Sequence, residues 1–258
     1  MNILQLIGSV FLGFLNAVGH LAIFTGQAIL SMLRPPLYAR MLGRQMLEIG
    51  YYSLPVVGMT AIFTGAVLAL QTYTGFSRFN AESSIAAVVI ISITRELGPV
   101  LAGLMVAGRV GAAMAAEIGT MRVTEQIDAL TTLATNPFKY LVAPRLWAGL
   151  AMLPCLVLVG DIIGVFGGYL VSIHKLGFSP GPYLYSTFLY LKTRDVVSGL
   201  VKAGVFGFIV SLMGCYHGYR SRGGAQGVGN ATTNAVVSAS ILILFCNYIV
   251  TEIFFATE

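Results

Sequence analysis

Five long stretches of this chain are almost free of charged residues, and they constrain its fold more than any other feature. The stretches cover residues 53–76, 85–117, 146–174, 196–217 and 233–252. A helix of about 20 mostly apolar residues can cross the hydrocarbon core of a bilayer. Each stretch reaches that length. The sequence therefore predicts an all-α integral membrane protein with five transmembrane helices in one domain, residues 1–258.

The composition supports a membrane protein. Charged residues make up 10% of the chain, whereas a soluble domain carries about 25%. The net charge of +5 does not indicate nucleic-acid binding, because the basic residues lie in short loops instead of one patch. The cysteines Cys155, Cys215 and Cys246 lie far apart and form no CxxC pair. We therefore expect no zinc site and no disulfide framework.

The N-terminal segment differs from the five stretches. Residues 1–33 carry no formal charge and are long enough to span. Their polar and small residues recur along one narrow stripe: Gln5, Ser9, Gly13, Asn16, His20, Gln27 and Ser31. This pattern favours an amphipathic helix lying in the membrane interface. The alternative is a sixth span whose polar stripe faces the bundle.

The distribution of Lys and Arg predicts the orientation. If residues 34–52 form a cytoplasmic elbow, turned at Pro35-Pro36, nine basic residues near the spans lie on the cytoplasmic side and four on the other. Cytoplasmic loops are enriched in Lys and Arg. We therefore expect a cytoplasmic N-terminus and a C-terminus on the outer side.

Residues 118–137, between the second and third spans, read as a short amphipathic helix. Ile127 and Leu130 share one face, and Glu125 and Asp128 are offset from it. Pro137 is a stop signal. The segment is either an ordinary interfacial helix or a helix that docks a cytoplasmic partner.

Four charges lie deep in the apolar stretches: Arg95 and Glu96 in the segment ITREL, Asp161 and Lys202; Arg109 also interrupts the second stretch, and Glu117 and Glu252 end two of them. Charges in hydrocarbon are costly, so such residues indicate function. Neighbours in a helix point about 100° apart, so Arg95 and Glu96 need separate partners. From their similar depths we predict that Glu96 pairs with Lys202. Arg95 would then be available for a lipid phosphate or for a backbone carbonyl near the kink. Pro99 beside Gly98 predicts a kink nearby.

The second stretch also carries small residues at four-residue spacing: Gly103, Ala107, Gly111, Ala115 and Gly119. Such spacing lets helix backbones approach closely in lipid. The stripe is either a packing seam within one protomer or part of a dimer contact.

Long motifs resemble one known family. The segment "RELGPVLAGLMVAGRVGAAMAAEIGTMRVTEQIDAL", residues 95–130, is similar to the signature of the MlaE family of ABC transporter permeases. The likeness continues through "NPFKYLVAPRLWAG" and "GNATTNAVVSAS", and it extends from about Tyr38 to the end of the chain. This resemblance identifies the chain as a member of that permease family.

The resemblance implies a homodimeric permease in the bacterial inner membrane that moves phospholipid to maintain outer-membrane lipid asymmetry. Its partners would be cytoplasmic ABC ATPases, a STAS-domain protein bound to them, and a periplasmic hexameric MCE-domain carrier. The chain itself would be non-catalytic and without cofactors, with ATP and magnesium bound by the ATPase. In agreement, it contains no GxxxxGK[ST] motif.

The resemblance also implies roles for particular residues. Residues 118–137 would be the coupling helix, with Glu125, Ile127, Asp128 and Leu130 at the ATPase junction. The first span would face its dimer mate across a lipid cavity. Leu68, Thr72, Phe76 and Phe79 share a face there and, with Arg95, are candidate lipid-binding residues. For Phe76 and Phe79 the alternative is an aromatic position at the membrane interface.

Two other functions compete with the permease. An ion-coupled secondary transporter could use Arg95, Glu96, Asp161 and Lys202 as a relay. Such transporters usually contain internal repeats, and the sequence shows none. An intramembrane enzyme is disfavoured, because the sequence contains neither HExxH nor GxSxG. Family members often carry an acid where this chain has Asn247, which weakens any mechanism that needs a titrating acid there.

Overall fold

A computed structural model describes residues 3–36, 38–77 and 84–255. In these ranges the chain forms nine helical elements and no β-strand. They are α1 (Ile3–Leu33), α2 (Ala39–Ile49), α3 (Leu54–Phe76), α4 (Ile85–Val123), α5 (Gln126–Thr132), α6 (Phe138–His174), α7 (Pro180–Tyr190), α8 (Thr193–Tyr219) and α9 (Gly224–Phe255). The protein is an all-helical membrane protein, as predicted.

Six helices within the described residues are long and apolar enough to cross a membrane. Each of the five predicted stretches lies within one of them. The sixth is Phe11–Leu33 in α1. All six are identified by length and composition alone, and these do not distinguish a helix that spans the membrane from one that lies in its interface. The interfacial position of residues 1–33 therefore stays a prediction.

The helix α1 packs on the bundle through one face. Phe24, Ala28 and Met32 are buried, and the Phe24 ring lies 5.1 Å from that of Phe138 and 5.4 Å from that of Tyr216. The Trp147 indole N–H donates to the Met32 carbonyl at 3.2 Å. At about 100° per residue, the polar stripe of α1 runs beside this buried face. The stripe therefore borders the groove between α1 and the rest of the protein.

The predicted elbow, residues 34–52, is largely helical. The helix α2 buries Gln45 and Ile49 and packs against α6. A short 3₁₀ turn, Tyr51–Ser53, joins it to α3. The guanidinium of Arg109 from α4 holds this junction by donating to Ser53 Oγ at 2.7 Å and to the Glu48 carbonyl at 3.2 Å.

Close helix contacts build the core around α8, the most buried of the six apolar helices. Two crossings bring backbones into direct contact: Gly65 of α3 meets Gly164 of α6, and Gly149 of α6 meets Gly207 of α8. A Cβ atom on Gly65 or Gly149 would overlap the facing backbone carbonyl. Glycine is required there because two helices in lipid gain van der Waals contact only as far as their backbones can approach.

The small-residue stripe of α4 packs inside the protomer. Gly103 lies against Phe206, Gly111 against Val210, and Gly119 against Ser221 and Val228. Ala107 and Ala115 are fully buried. Of the two alternatives, the structure supports a packing seam between α4 and the helices α8 and α9.

The predicted cytoplasmic helix is shorter than residues 118–137. The helix α4 continues to Val123, and Glu125 then adopts a left-handed conformation with φ of 60°. The chain restarts as α5, Gln126–Thr132. Ile127 is fully buried and Leu130 packs against the core, whereas Glu125 and Asp128 are exposed. The apolar face thus holds α5 on the bundle and leaves its acidic side chains outside.

Candidate functional site

The segment ITREL forms a π-helical turn, Ile93–Leu97, in the middle of α4. Such wide turns often occur at functional sites in helices. Pro99 follows after Gly98 and has no N–H to donate to the Arg95 carbonyl four residues back. The Lys202 ammonium of α8 replaces that donor and lies 2.9 Å from the carbonyl oxygen. In place of a simple kink at Gly98-Pro99, the helix thus contains a π turn. The Arg95 carbonyl, which lacks a donor within the helix, is bound by the buried Lys202.

The predicted pair of Glu96 and Lys202 is confirmed. The Lys202 Nζ atom lies 2.7 Å from Glu96 Oε1. The lysine side chain is fully buried, while the glutamate side chain is 38% exposed in the isolated chain. A buried ammonium without a partner would be strongly destabilising, so Lys202 depends on Glu96 and on the Arg95 carbonyl.

The helix α9 supplies two further donors to Glu96. Asn247 Nδ2 lies 2.9 Å from Oε2, and Thr251 Oγ1 lies 3.1 Å from Oε1. An ionised carboxylate only accepts hydrogen bonds; Lys202 and Asn247 donate to it from two helices, while the single Thr251 hydroxyl hydrogen also has the Asn247 carbonyl within reach at 2.8 Å. Glu96 therefore links α4, α8 and α9 at one point. Asn247, noted in the sequence as a missing acid, has a role here as a donor.

Arg95 has the separate partners that its position in the helix requires, and they belong to the protein; its contact with a lipid phosphate stays a prediction. Its Nε atom lies 3.0 Å from Asp195 Oδ1, and its guanidinium carbon lies 3.5 Å from the centre of the Phe255 ring. Sequence reasoning missed Asp195 because the predicted span began at residue 196, whereas α8 begins at Thr193. The Asp195 carboxylate also accepts the Lys192 backbone N–H at 3.2 Å and so caps the start of α8.

The fourth predicted charge, Asp161, lies apart from these pairs. Its side chain is buried on α6 against Gly98, and its Oδ1 atom has no hydrogen-bond partner among the described residues. The described chain contains no ion pair between Asp161 and either Arg95 or Lys202. Of the four charges that the sequence grouped as one network, Glu96 and Lys202 pair with each other, Arg95 pairs with a fifth residue, Asp195, and Asp161 stands apart.

The predicted lipid-binding face of α3 is partly covered by the chain itself, and its contact with lipid stays a prediction. Leu68 and Phe76 pack against a small core of Ala69, Ile85, Val89 and Ile93, and Thr72 is buried. Phe79 lies outside the described residues. The exposed apolar face of α3 carries other side chains: Val56, Met59, Phe63 and Val67. The sequence could not distinguish the two faces because α3 is apolar on all sides.

Taken as a unit, the residues around Glu96 form a polar connection across three helices inside the membrane-spanning bundle. We name Arg95, Glu96, Asp195, Lys202, Asn247 and Thr251 the inter-helix cluster. Two of its positions, Asn247 and Thr251, carry no charge, so a search for intramembrane charges overlooks them. A polar pair spaced four residues apart in an apolar helix is the signal that could have found them.

Comparison with known proteins places these features in a family. The sequence profile described as "Permease MlaE" matches residues 42–253. The chain is 64% identical, over 99% of its length and 98% of the relative, to a "Probable ABC transporter permease protein" of Rickettsia felis. It is 33% identical, over the same shares, to the "Intermembrane phospholipid transport system permease protein MlaE" of Haemophilus influenzae.

A plant relative shows how far the similarity extends. The chain is 36% identical to the protein "TRIGALACTOSYLDIACYLGLYCEROL 1, chloroplastic" of Arabidopsis thaliana, over 90% of this chain and 67% of that protein. The family profile covers most of the chain, and the two bacterial relatives match it almost from end to end. The chain therefore belongs to the MlaE family of ABC transporter permeases, as a membrane-embedded permease subunit and not as the ATPase.

Proposed function

We propose that this chain is the permease subunit of an ATP-driven transporter that moves phospholipid between the inner membrane and a periplasmic MCE-domain carrier, and so maintains outer-membrane lipid asymmetry. The observation that carries the proposal is the similarity along 99% of the chain to a protein named for intermembrane phospholipid transport. The N-terminus would be cytoplasmic and the C-terminus periplasmic, in line with the distribution of basic residues.

The proposed active form is a homodimer that encloses the lipid between two copies. Exposed apolar side chains on α3 and α9 support this arrangement: Val56, Met59, Phe63, Val67, Val237, Ile241, Leu244 and Phe245. In the bilayer such surfaces suit either acyl chains or a second apolar helix. The inter-helix cluster would hold α4, α8 and α9 together while the two copies move relative to each other.

Reconstitution tests the proposal against the ion-coupled alternative. The chain is co-reconstituted with its ATPase in vesicles containing a fluorescent phospholipid, and transfer to the soluble carrier domain is measured. We expect transfer that requires ATP and stops when the ATPase is omitted. Transfer by the chain alone, driven by an ion gradient without ATP, would instead support the secondary transporter.

Glu125 and Asp128, the exposed acids at the start of α5, are the proposed contact with the ATPase. The ATPase would in turn bind the STAS-domain protein. We expect Glu125→Lys/Asp128→Lys to lower ATP-dependent transfer at least about tenfold, because like charges brought together at an interface cost several kcal/mol. Transfer and ATPase co-purification are both measured. Folding should change little, since Asp128 is 58% exposed and its 2.7 Å pair with Arg122 is a surface ion pair worth about 0–1 kcal/mol.

The matched control is Glu252→Lys, an exposed acid near the other end of the bundle on α9. It changes the same charge type without touching α5. Normal transfer and normal co-purification by the α5 variant would show that the ATPase docks elsewhere.

A further inference from the structure

The polar stripe of α1 borders two adjoining cavities that the proposed transport function does not use. One has a volume of about 490 Å³ and lies between α1, the end of α8 and the start of α9. The other, about 550 Å³, lies between α1, α8 and Arg122 of α4. His20, Tyr216, Arg220 and Arg222 line both. We name these four residues with Ser221 the basic cleft.

The charge of the basic cleft is one-sided. No Asp or Glu is among the described residues that line either cavity. Arg220 donates to the Tyr216 hydroxyl at 3.1 Å, and within the described chain neither Arg220 nor Arg222 forms an ion pair. Two guanidinium groups on the same short connection, residues 220–222, are thus left without a counter-charge. Such a site attracts an anion.

A buried hydroxyl gives a second, independent indication of a ligand. Ser221 lies between the two arginines, is 5% exposed and lines the first cavity. Its Oγ atom has no hydrogen-bond partner in the described part of the protein. Buried polar atoms are almost always hydrogen-bonded, so an unpaired hydroxyl on a residue that lines a cavity indicates a missing acceptor or donor.

The surroundings of the basic cleft favour a lipid as the source of the anion. The other faces of α1 expose apolar side chains, among them Leu15, Leu30 and Leu33. The interfacial position predicted for α1 would place these faces at the level of the lipid head groups. Acyl chains could therefore run along α1 while the head group enters the cleft beside its polar stripe.

We propose that the basic cleft binds the phosphate group of an anionic phospholipid in the leaflet against which α1 lies. The planar donor groups of Arg220 and Arg222 suit phosphate oxygens, which they can bind two at a time. The Ser221 hydroxyl supplies a further donor. This lipid is a fixed component that fastens α1 to the bundle. The proposal does not require the chain to be a transporter.

Native mass spectrometry of the purified full-length chain tests the proposal. The chain is incubated with phosphatidylglycerol or with phosphatidylethanolamine, and retained lipid is counted. We expect the wild type to retain phosphatidylglycerol preferentially, and Arg220→Gln/Arg222→Gln to retain it at least about tenfold less. Each charge-assisted hydrogen bond that is lost lowers binding by about that factor.

Arg34→Gln/Arg44→Gln is the matched control, because it removes the same charge from exposed residues outside the cleft. It should retain lipid as the wild type does. If the control lost as much phosphatidylglycerol as the cleft variant, retention would depend only on general charge attraction, and the proposal would be overturned. Should the double cleft variant not fold, Ser221→Ala removes only the buried hydroxyl, and a several-fold loss is expected.

Three other outcomes also overturn the proposal. Retention of inorganic phosphate by the wild type to the same extent as phosphatidylglycerol would indicate a site for a free anion. Equal retention of phosphatidylethanolamine would remove the preference for anionic lipid. Unchanged lipid retention combined with loss of the ATPase from the arginine variant would make the cleft a protein-docking surface.

Discussion

Glu96→Gln is expected to destabilise the folded protein by about 3–5 kcal/mol, the cost of leaving a buried charge without its partner. The Lys202 ammonium, which is fully buried, would lose its counter-charge and keep only neutral acceptors, the Arg95 carbonyl and the amide oxygen of the new side chain. Lys202→Met should cost less, about 1–3 kcal/mol, because Glu96 is partly exposed and keeps Asn247 and Thr251 as donors. Chemical denaturation in detergent micelles measures both changes.

The double variant Glu96→Gln/Lys202→Met should recover part of the loss. Replacing both members of a buried ion pair is often close to neutral, whereas removing one is not. Glu252→Gln, an exposed acid on the same helix as Asn247, is the control and should leave stability unchanged. Additive losses in the double variant would mean that the pair contributes no coupling energy.

Gly65→Ala has the second largest expected effect. The new Cβ atom would overlap the Gly164 carbonyl, so a backbone and not a flexible side chain would have to move. Overpacking of this kind costs about 1–3 kcal/mol or more, and we expect the upper part of that range. The unfolding transition in detergent should shift accordingly, and transfer should fall as the contact between α3 and α6 opens.

Gly75→Ala on the same helix is the matched control. Nothing lies within 4 Å of a Cβ atom at Gly75. Alanine there should be neutral or stabilising by up to about 1 kcal/mol, because it restricts the unfolded chain more than glycine does. Similar behaviour of the two variants would refute the close approach of α3 and α6.

Local sequence patterns were sufficient to predict the class of protein and one contact within it, the pair of Glu96 and Lys202. Long uncharged stretches report the cost of burying charge in lipid, so they predicted the apolar helices well. The pairing of Glu96 with Lys202 was also predictable, because both are expensive in lipid and lie at similar depth. The small-residue stripe of α4 indicated a close helix contact but not which helix it meets, since its spacing suits a seam and a dimer contact equally.

The partners of Arg95 and Glu96 were harder to predict from the sequence. Asn247, Thr251 and Phe255 lie about 150 residues further along the chain, and none is charged. Their contribution depends on α9 packing beside the π turn of α4. Similarly, the sequence did not indicate that Leu68 and Phe76 of α3 pack against a core shared with α4 or that Thr72 is buried, since no polar side separates the buried and exposed faces of α3.

By itself the sequence determined that the chain is a multi-helix membrane protein, that two opposite charges in its interior pair, and, through its long motifs, which family it resembles. The tertiary structure alone decided which face of each apolar helix is buried, that Asp161 stands apart from the other charges, and that Asp195 neutralises Arg95. The physical reason is that the faces of a membrane helix that contact lipid and those that contact protein are both apolar, so hydrophobicity does not distinguish them. The choice of neighbour depends on close packing and on polar atoms brought together from distant parts of the chain.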